Sequence, residues 1–256
     1  MGGFDENSIT EDFSTSLRMH ILGYKSVYYN HILVFGMGPE NLPAYFRQQS
    51  RWAVGTVQVF VMAIKYFLRK PKSLTAIQWW EYFLSSTFYF TSWMFSLLLL
   101  CPILYLFFGI SAYHIDISIY FLAFIPYYFF TTVMLYVTLK KINYSFLDIY
   151  HGAMMGIISF PIIMVSTAKG LFSRKNNFKV TQKNEVTNAS FVSLWPWHSL
   201  IILNFFAIIY GTINSEGRQL AVLINVLWCS YHIFLLSYIY YFNAKPKQAI
   251  NILEST

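Results

Sequence analysis

Three side chains with recognisable chemistry stand at helical spacing in the motif Q-x-x-R-W, at Gln48, Arg51 and Trp52. Positions i, i+3 and i+4 of a helix share one face, so the amide, the guanidinium and the indole would point the same way. A guanidinium forks onto phosphate oxygens, and an indole offers a wide apolar face to a flat ring. The spacing therefore suits an anionic leaving group beside a sugar. It suits equally well an amphipathic helix at a membrane interface, which Arg and Trp both favour.

A second candidate is the acidic triplet Thr10-Glu11-Asp12. A carboxylate can act as a general base when it is held within hydrogen-bond reach of a hydroxyl group. The triplet is also typical of a helix start, with Thr10 or Asp12 as the cap of a helix over about 9–22 that Gly23 ends. By itself it favours a capping box. A short strand is predicted next, over 24–29.

A third candidate is the polar run over 173–185, which contains the pattern F-x-V-T-x-K. Its residues are Phe178, Val180, Thr181 and Lys183. Such a polar run more often forms a solvated loop that connects two membrane elements.

The composition indicates an integral membrane protein. Of the 256 residues, 56% are hydrophobic and only 11% are charged, whereas soluble domains carry about a quarter charged residues. The net charge of +7 comes from basic residues beside apolar runs, as the positive-inside rule expects. We therefore expect a lipid bilayer as partner and no nucleic acid. Cys101 and Cys229 lie inside apolar runs and are interpreted as packed thiols.

Four apolar runs reach the length of about 20 residues that a bilayer requires. They cover 82–108, 117–139, 196–214 and 220–242. A fifth apolar stretch, 150–172, contains Pro161, and placing it along the interface puts nearly all basic clusters on one side of the membrane. The sequence thus predicts a multi-pass protein of an inner or plasma membrane, with its polar motifs and C-terminus in the cytoplasm. A helix over 41–68, with basic residues at its end, is predicted to lie in the membrane surface.

Three motifs therefore follow one another along the chain: Thr10-Glu11-Asp12, Gln48-x-x-Arg51-Trp52 and Phe178-x-Val180-Thr181-x-Lys183. In this order and placement the sequence resembles processive membrane family-2 glycosyltransferases, most closely those of the cellulose synthase type. The resemblance implies a membrane protein that is mainly α-helical. It would consist of a C-terminal remnant of a GT-A-type α/β glycosyltransferase domain, followed by about four transmembrane helices and interfacial helices.

The resemblance also implies a role for each motif. Asp12 would be the general base that takes the proton of the acceptor sugar's hydroxyl, and Trp52 would stack on the terminal acceptor sugar. Residues that would bind the UDP-sugar donor are Thr10, Glu11, Gln48 and Arg51. Residues that would form a gating loop over the bound donor, excluding water, are Phe178, Val180, Thr181 and Lys183.

The full-length enzymes of this type use Mg²⁺ or Mn²⁺, held by a D-x-D motif, and no D-x-D occurs in this sequence. We therefore expect no metal ligand among the residues present. We also expect the chain to be inactive alone and to need a missing N-terminal half or a separate subunit that binds metal and uridine.

The predicted organisation has five parts. Residues 1–56 would be the C-terminal part of the cytosolic glycosyltransferase domain, and 57–78 an interfacial amphipathic helix. Two transmembrane helices would fill 79–141. An interfacial helix and the gating loop would follow over 142–195, and two further transmembrane helices with a short cytosolic tail over 196–256.

The predicted function is that of the C-terminal half of an inverting, processive glycosyltransferase. It would polymerise a β-linked polysaccharide, cellulose or another β-glucan, from UDP-glucose and translocate it across the membrane. Two alternatives stay open. One is a non-processive membrane glycosyltransferase, and the other is a non-catalytic membrane subunit or remnant of such an enzyme.

Overall fold

The structure, a computed structural model, describes residues 3–5, 8–31, 34, 36, 38–111, 117–141, 144–172 and 188–244. The chain divides into two compact units. Unit 1 contains the described residues of Met1–Ser96, Ser159–Ser193 and Tyr241–Thr256, and unit 2 contains those of Leu97–Ile158 and Leu194–Tyr240.

Most of the described residues belong to α-helices, which in chain order are α1 (Glu11–Ile21), α2 (Leu42–Arg69), α3 (Ala76–Thr87), α4 (Thr91–Phe108), α5 (Ile117–Lys140), α6 (Phe146–Ile158), α7 (Phe160–Phe172), α8 (Trp195–Ile213) and α9 (Gln219–Ala244). The predicted, mainly α-helical fold is therefore confirmed. The strand predicted over 24–29 is wrong. That segment is irregular, with Val27 and Tyr28 about nine-tenths exposed, and no described neighbour offers a strand with which it could pair.

Helix α1 ends as predicted, at Gly23, whose φ of +89° suits glycine. At its start, Thr10 is the N-cap residue, as predicted, but its side chain makes no capping hydrogen bond. Helix α2 is capped by Asn41, whose side chain accepts a hydrogen bond from the Ala44 N–H at 2.9 Å. It then runs without a break to Arg69. The boundary predicted between residues 56 and 57 thus lies inside one continuous helix.

Helices α1, α2 and α3 of unit 1 share a small apolar core. Its buried members are Leu17 of α1, Val59 and Ala63 of α2, Trp79 and Tyr82 of α3, and Leu74 before α3. The Trp79 indole N–H also donates to the Pro71 carbonyl at 2.9 Å, which fixes the turn between α2 and α3. Burial of large aromatic side chains is the main stabilising term in such a cluster.

Helix α7, also in unit 1, packs against α2 at backbone distance. A Cβ atom at Gly170 would lie 2.9 Å from the Val54 carbonyl oxygen and 3.0 Å from the Val57 Cβ. One turn earlier in each helix, the hydroxyls of Ser50 and Ser166 are hydrogen bonded at 2.7 Å. The α2–α7 contact therefore depends on small residues.

Four helical segments within the described chain are long and apolar enough to cross a membrane. They are Ala76–Phe108, Ser118–Lys140, Val192–Ile213 and Gln219–Ala244, which confirms the four predicted spans. The first begins earlier than predicted, because Thr75 and Gln78 form a capping box there. The fifth stretch is not one straight helix: it breaks at Ser159 into α6 and α7. Its position along the interface stays a prediction.

Unit 2 is held by aromatic and polar contacts between its helices. The Trp197 indole, almost fully buried, donates to the Ile158 carbonyl at 2.8 Å, and the Tyr150 and Tyr238 hydroxyls lie 2.7 Å apart. The side-chain amides of Asn204 and Asn225 bond locally, because each donates to the carbonyl four residues earlier in its own helix.

The α2–α7 contact predicts a strong effect of a single methyl group. We expect Gly170→Ala to lower the thermal unfolding midpoint in detergent micelles, because the new Cβ overlaps the Val54 carbonyl, with an energetic cost of about 1–3 kcal/mol. The matched control is Gly156→Ala in α6, where nothing lies within 4 Å of a new Cβ. It should leave the midpoint unchanged or raise it. Equal midpoints for the two variants would contradict the close packing.

Candidate functional site

The first two sequence motifs meet at Gly55. A Cβ atom at Gly55 would lie 2.6 Å from the Thr10 Cγ2 and 2.8 Å from the Thr10 Oγ1. Thr10 itself is buried against this glycine. The residue that precedes α1 is thus in direct contact with the backbone of α2, and any larger residue at position 55 would separate the two helices.

Gly55 lies on the same face of α2 as the Q-x-x-R-W residues. It follows Trp52 by three positions and Arg51 by four, so all of them share one side of the helix. The contact with Thr10 therefore places the start of the acidic triplet one helical turn, about 5.4 Å, beyond Arg51. Thr10 of the first motif is thus packed beside the helix face that carries the second motif.

Apart from the buried Thr10, the side chains of the two motifs are accessible to solvent. Trp52 is 42% exposed, and Gln48 and Arg51 are half-buried. Glu11 and Asp12 are exposed in the first turn of α1, and the Asp12 Oδ1 accepts a hydrogen bond from the Phe13 N–H at 2.7 Å. The accessible groups of the two motifs thus include two carboxylates, an amide, a guanidinium and an indole.

Helix α7 and the residue before it hold two further positions of α2. Ser50 contacts Ser166, and Tyr45 forms a hydrogen bond with Ser159. Burial raises the pKa of the Tyr45 phenol above its usual value, and the bond to Ser159 partly offsets the rise. Tyr45 is therefore neutral at physiological pH and acts as a positional contact.

The predicted gating-loop residues Phe178, Val180, Thr181 and Lys183 lie outside the described residues. The described segments on either side of them are well anchored. Before them, Gly170 of α7 is packed on α2. After them, the Ala189 N–H donates to the Asn243 Oδ1 at 2.7 Å, and the Asn243 Nδ2 donates back to the Ala189 carbonyl at 3.0 Å.

Among the described residues, no three His, Cys, Asp or Glu side chains are placed together so that they could hold a metal ion. Divalent metal ions are typical cofactors of family-2 glycosyltransferases. The residues described here do not fit such an ion, so no metal ligand is assigned and no chemical step is routed through a metal.

Comparison with known proteins decides the family. The sequence profile described as glycosyl transferase family group 2 matches residues 1–139, more than half of the chain. The matched region contains both motifs that meet at Gly55. The chain belongs to glycosyl transferase family group 2.

Several relatives of this glycosyltransferase chain are cellulose synthases. It is 24% identical over 261 residues to the UDP-forming catalytic subunit of cellulose synthase 1 from Komagataeibacter xylinus, a match that covers 97% of this chain and 34% of the relative. It is 21% identical over 248 residues to the UDP-forming catalytic subunit of cellulose synthase from Pseudomonas fluorescens, covering 93% of this chain and 32% of the relative.

A shorter match has a higher sequence identity. The chain is 43% identical over 60 residues to a UDP-forming catalytic subunit of cellulose synthase from Dictyostelium discoideum, a match that covers 23% of this chain and 6% of the relative. The chain thus spans about a third of the length of the bacterial relatives it matches. The resemblance to cellulose-synthase-type family-2 glycosyltransferases inferred from the motifs is confirmed, at low identity.

Sequence reasoning missed the residues that hold the site together. Gly55, Gly170 and Asn243 carry no chemistry of their own, and they act through contacts with distant residues. A partial signal existed for Gly55, because a glycine inside a strongly helical pattern indicates a close approach or a break. Nothing local indicated which residue would approach it.

A double-mutant cycle tests the Thr10–Gly55 contact. We expect Gly55→Ala to lower the unfolding midpoint of the chain, since its Cβ overlaps the Thr10 side chain. Thr10→Ala removes both overlapping side-chain atoms. Thr10→Ala combined with Gly55→Ala should therefore recover most of the loss, with a coupling free energy of about 1–2 kcal/mol. Strictly additive effects would mean that the two residues are not in contact.

Proposed function

We propose that this chain forms the acceptor side and the membrane part of an inverting, processive glycosyltransferase that extends a β-linked glucan from UDP-glucose. The observation that supports the proposal is the contact of Thr10 with Gly55, because it brings the residue before Glu11 and Asp12 next to the Q-x-x-R-W face. An isolated capping box would not need such a contact. The cellulose synthases among the relatives support the choice of product and donor.

In the proposed reaction, Asp12 acts as the general base. It takes the proton from a hydroxyl of the acceptor sugar while that oxygen attacks the anomeric carbon of the donor from the side opposite UDP. The bond from the anomeric carbon to the phosphate oxygen breaks, and UDP leaves with the electron pair. The products are a glycan longer by one sugar with inverted configuration, UDP, and the proton on Asp12.

The α2 face contacts both the donor and the acceptor. Arg51 forks onto the pyrophosphate of the donor and stabilises the charge that grows as UDP leaves. Glu11 and Gln48 contact the donor beside it, and Thr10, buried on Gly55, holds the start of α1 in place. Trp52, with an exposed indole, stacks on the terminal sugar of the acceptor and keeps its hydroxyl facing Asp12.

The remaining parts of the proposal concern gating and export. Phe178, Val180, Thr181 and Lys183 close over the bound donor, supported by the anchoring of the neighbouring segments at Gly170 and at Ala189. Closure excludes water, which competes with the acceptor. The growing glucan leaves through the spans, while the motifs and the C-terminus stay on the cytoplasmic side, where the basic residues gather.

Replacement of the proposed base should abolish polymerisation. In membranes that contain this chain together with the half or subunit that binds metal and uridine, we expect Asp12→Asn to lower incorporation of radiolabelled glucose from UDP-glucose by at least about 100-fold, because the amide cannot accept the proton. Binding of UDP should change little, since Asn has nearly the same size and the Thr10–Gly55 contact is untouched.

Glu216→Gln serves as the matched control, because it removes an exposed carboxylate in the loop between α8 and α9 that belongs to none of the three motifs. It should leave incorporation unchanged. Full incorporation by the Asp12→Asn enzyme would reject Asp12 as the base. Absence of incorporation by the unaltered protein, with the half or subunit that binds metal and uridine also present, would favour the non-catalytic alternative.

The stacking role of Trp52 predicts a change in product length. We expect Trp52→Ala to shorten the glucan and to reduce apparent acceptor affinity by about tenfold, because a lost stacking contact costs about 1 kcal/mol or more. Trp52→Phe should retain part of the length. Trp195→Ala, which removes another exposed indole at the start of α8, is the control. Products are sized by gel filtration after enzymatic release, and unchanged length in Trp52→Ala would contradict the assignment.

A further inference from the structure

A polar pocket lies in unit 1, between α1, the segment that follows it, and α3. It has a volume of about 530 Å³, which is within the range of about 300–1,000 Å³ that small-ligand sites occupy. Its walls include Phe13 and His20 of α1, Lys25 and Ser26 of the following segment, and Glu81 and Tyr82 of α3. None of these residues has a role in the proposed glycosyl transfer.

One wall of the pocket is rigid. The His20 Nδ1 is hydrogen bonded to the Tyr82 hydroxyl at 2.6 Å, and its Nε2 to the Ser26 hydroxyl at 2.9 Å. The Phe13 and Tyr82 rings stack with centroids 5.9 Å apart. The imidazole and two aromatic rings therefore form a fixed surface, and they also join α1 to α3.

The pocket carries opposite charges that do not neutralise each other. Lys25 and Glu81 both line it, and neither forms an ion pair with another described residue. Both side chains are exposed to solvent at the rim. A cation and an anion held apart at one rim match a ligand that carries both a negative and a positive group.

Helix α3 divides its surface into a polar and an apolar stripe at this point. The polar residues Gln78, Glu81, Tyr82 and Ser85 follow at i, i+3, i+4 and i+7, and all of them line the pocket. The neighbouring stripe of Ile77, Trp80 and Leu84 is 70%, 66% and 59% exposed. Since α3 opens the first candidate span, the exposed apolar stripe suits contact with lipid chains, and the polar stripe suits contact with lipid headgroups.

We propose that this pocket binds the headgroup of a zwitterionic phospholipid. Lys25, with the Ser26 hydroxyl, holds the phosphate. Glu81 holds the ammonium group, over the faces of the Phe13 and Tyr82 rings. The acyl chains run along Ile77, Trp80 and Leu84. A bound lipid bridges the segment after α1 to α3, so membrane composition acts on the helix that carries Asp12.

The proposal does not depend on the proposed glycosyl transfer, and its test needs no enzymatic activity. The purified chain in non-ionic detergent is exposed to an equimolar mixture of phosphatidylethanolamine and phosphatidylglycerol. Native mass spectrometry then counts the lipids retained. We expect the first retained lipid to be phosphatidylethanolamine, with a preference of about fivefold or more, because only this lipid supplies an ammonium group for Glu81.

Variants separate the two ends of the headgroup. Glu81→Gln should abolish the preference while phosphate-dependent retention persists, and Lys25→Met should lower retention of both lipids by about fivefold. Glu40→Gln, a carboxylate outside the pocket, should behave as the unaltered chain. Equal retention of the two lipids by the unaltered chain would overturn the proposal, as would the same loss in Glu40→Gln. Displacement of the lipid by a short β-linked glucan would identify a sugar site instead and also overturn it.

Discussion

Unit 1 depends on how closely two helices approach the backbone of α2. Thr10, before α1, packs against Gly55 of α2. Gly170 of α7 packs against the Val54 carbonyl and the Val57 side chain of α2. Interiors packed at this density have no room for an added methyl group. Because the two contacts lie on different faces of α2, this helix is held on both sides. Helix α2 carries the Q-x-x-R-W face, contacts the first residue of the acidic triplet, and packs against α7, the helix before the proposed gating residues.

This arrangement gives positional precision to residues that are themselves exposed. Asp12 and Trp52, the proposed base and the proposed stacking residue, are exposed, yet Asp12 lies two positions after Thr10 and Trp52 three positions before Gly55, whose contact is close. Exposed catalytic groups gain from rigid supporting elements, since misplacement by about 1 Å can cost about 100-fold in rate. The small residues beneath the surface thus matter as much as the chemically active ones above it.

The start of the membrane region is tied to the same helices. His20 at the end of α1 is hydrogen bonded to Tyr82 of α3, and Trp79 and Tyr82 belong to the core that α1 and α2 share. A displacement of α3 would therefore act on α1 through direct side-chain contacts. The pocket beside His20 lies where such a change would be received.

Sequence alone determined the helical, membrane-spanning class, the four spans, the ends of α1 and α2, and the family. These features follow from local patterns: apolar length, helical periodicity, glycine and proline stops, and motif spacing. It failed for the strand over 24–29 and for the capping hydrogen bond of Thr10. The segment 24–29 has no strand to pair with among the described residues. The Thr10 side chain packs on Gly55 instead of capping α1. Only the tertiary structure decided that residues 10 and 55, 170 and 54, and 20 and 82 are neighbours, because contacts between distant segments depend on which helix faces pack together, and no local pattern records that choice.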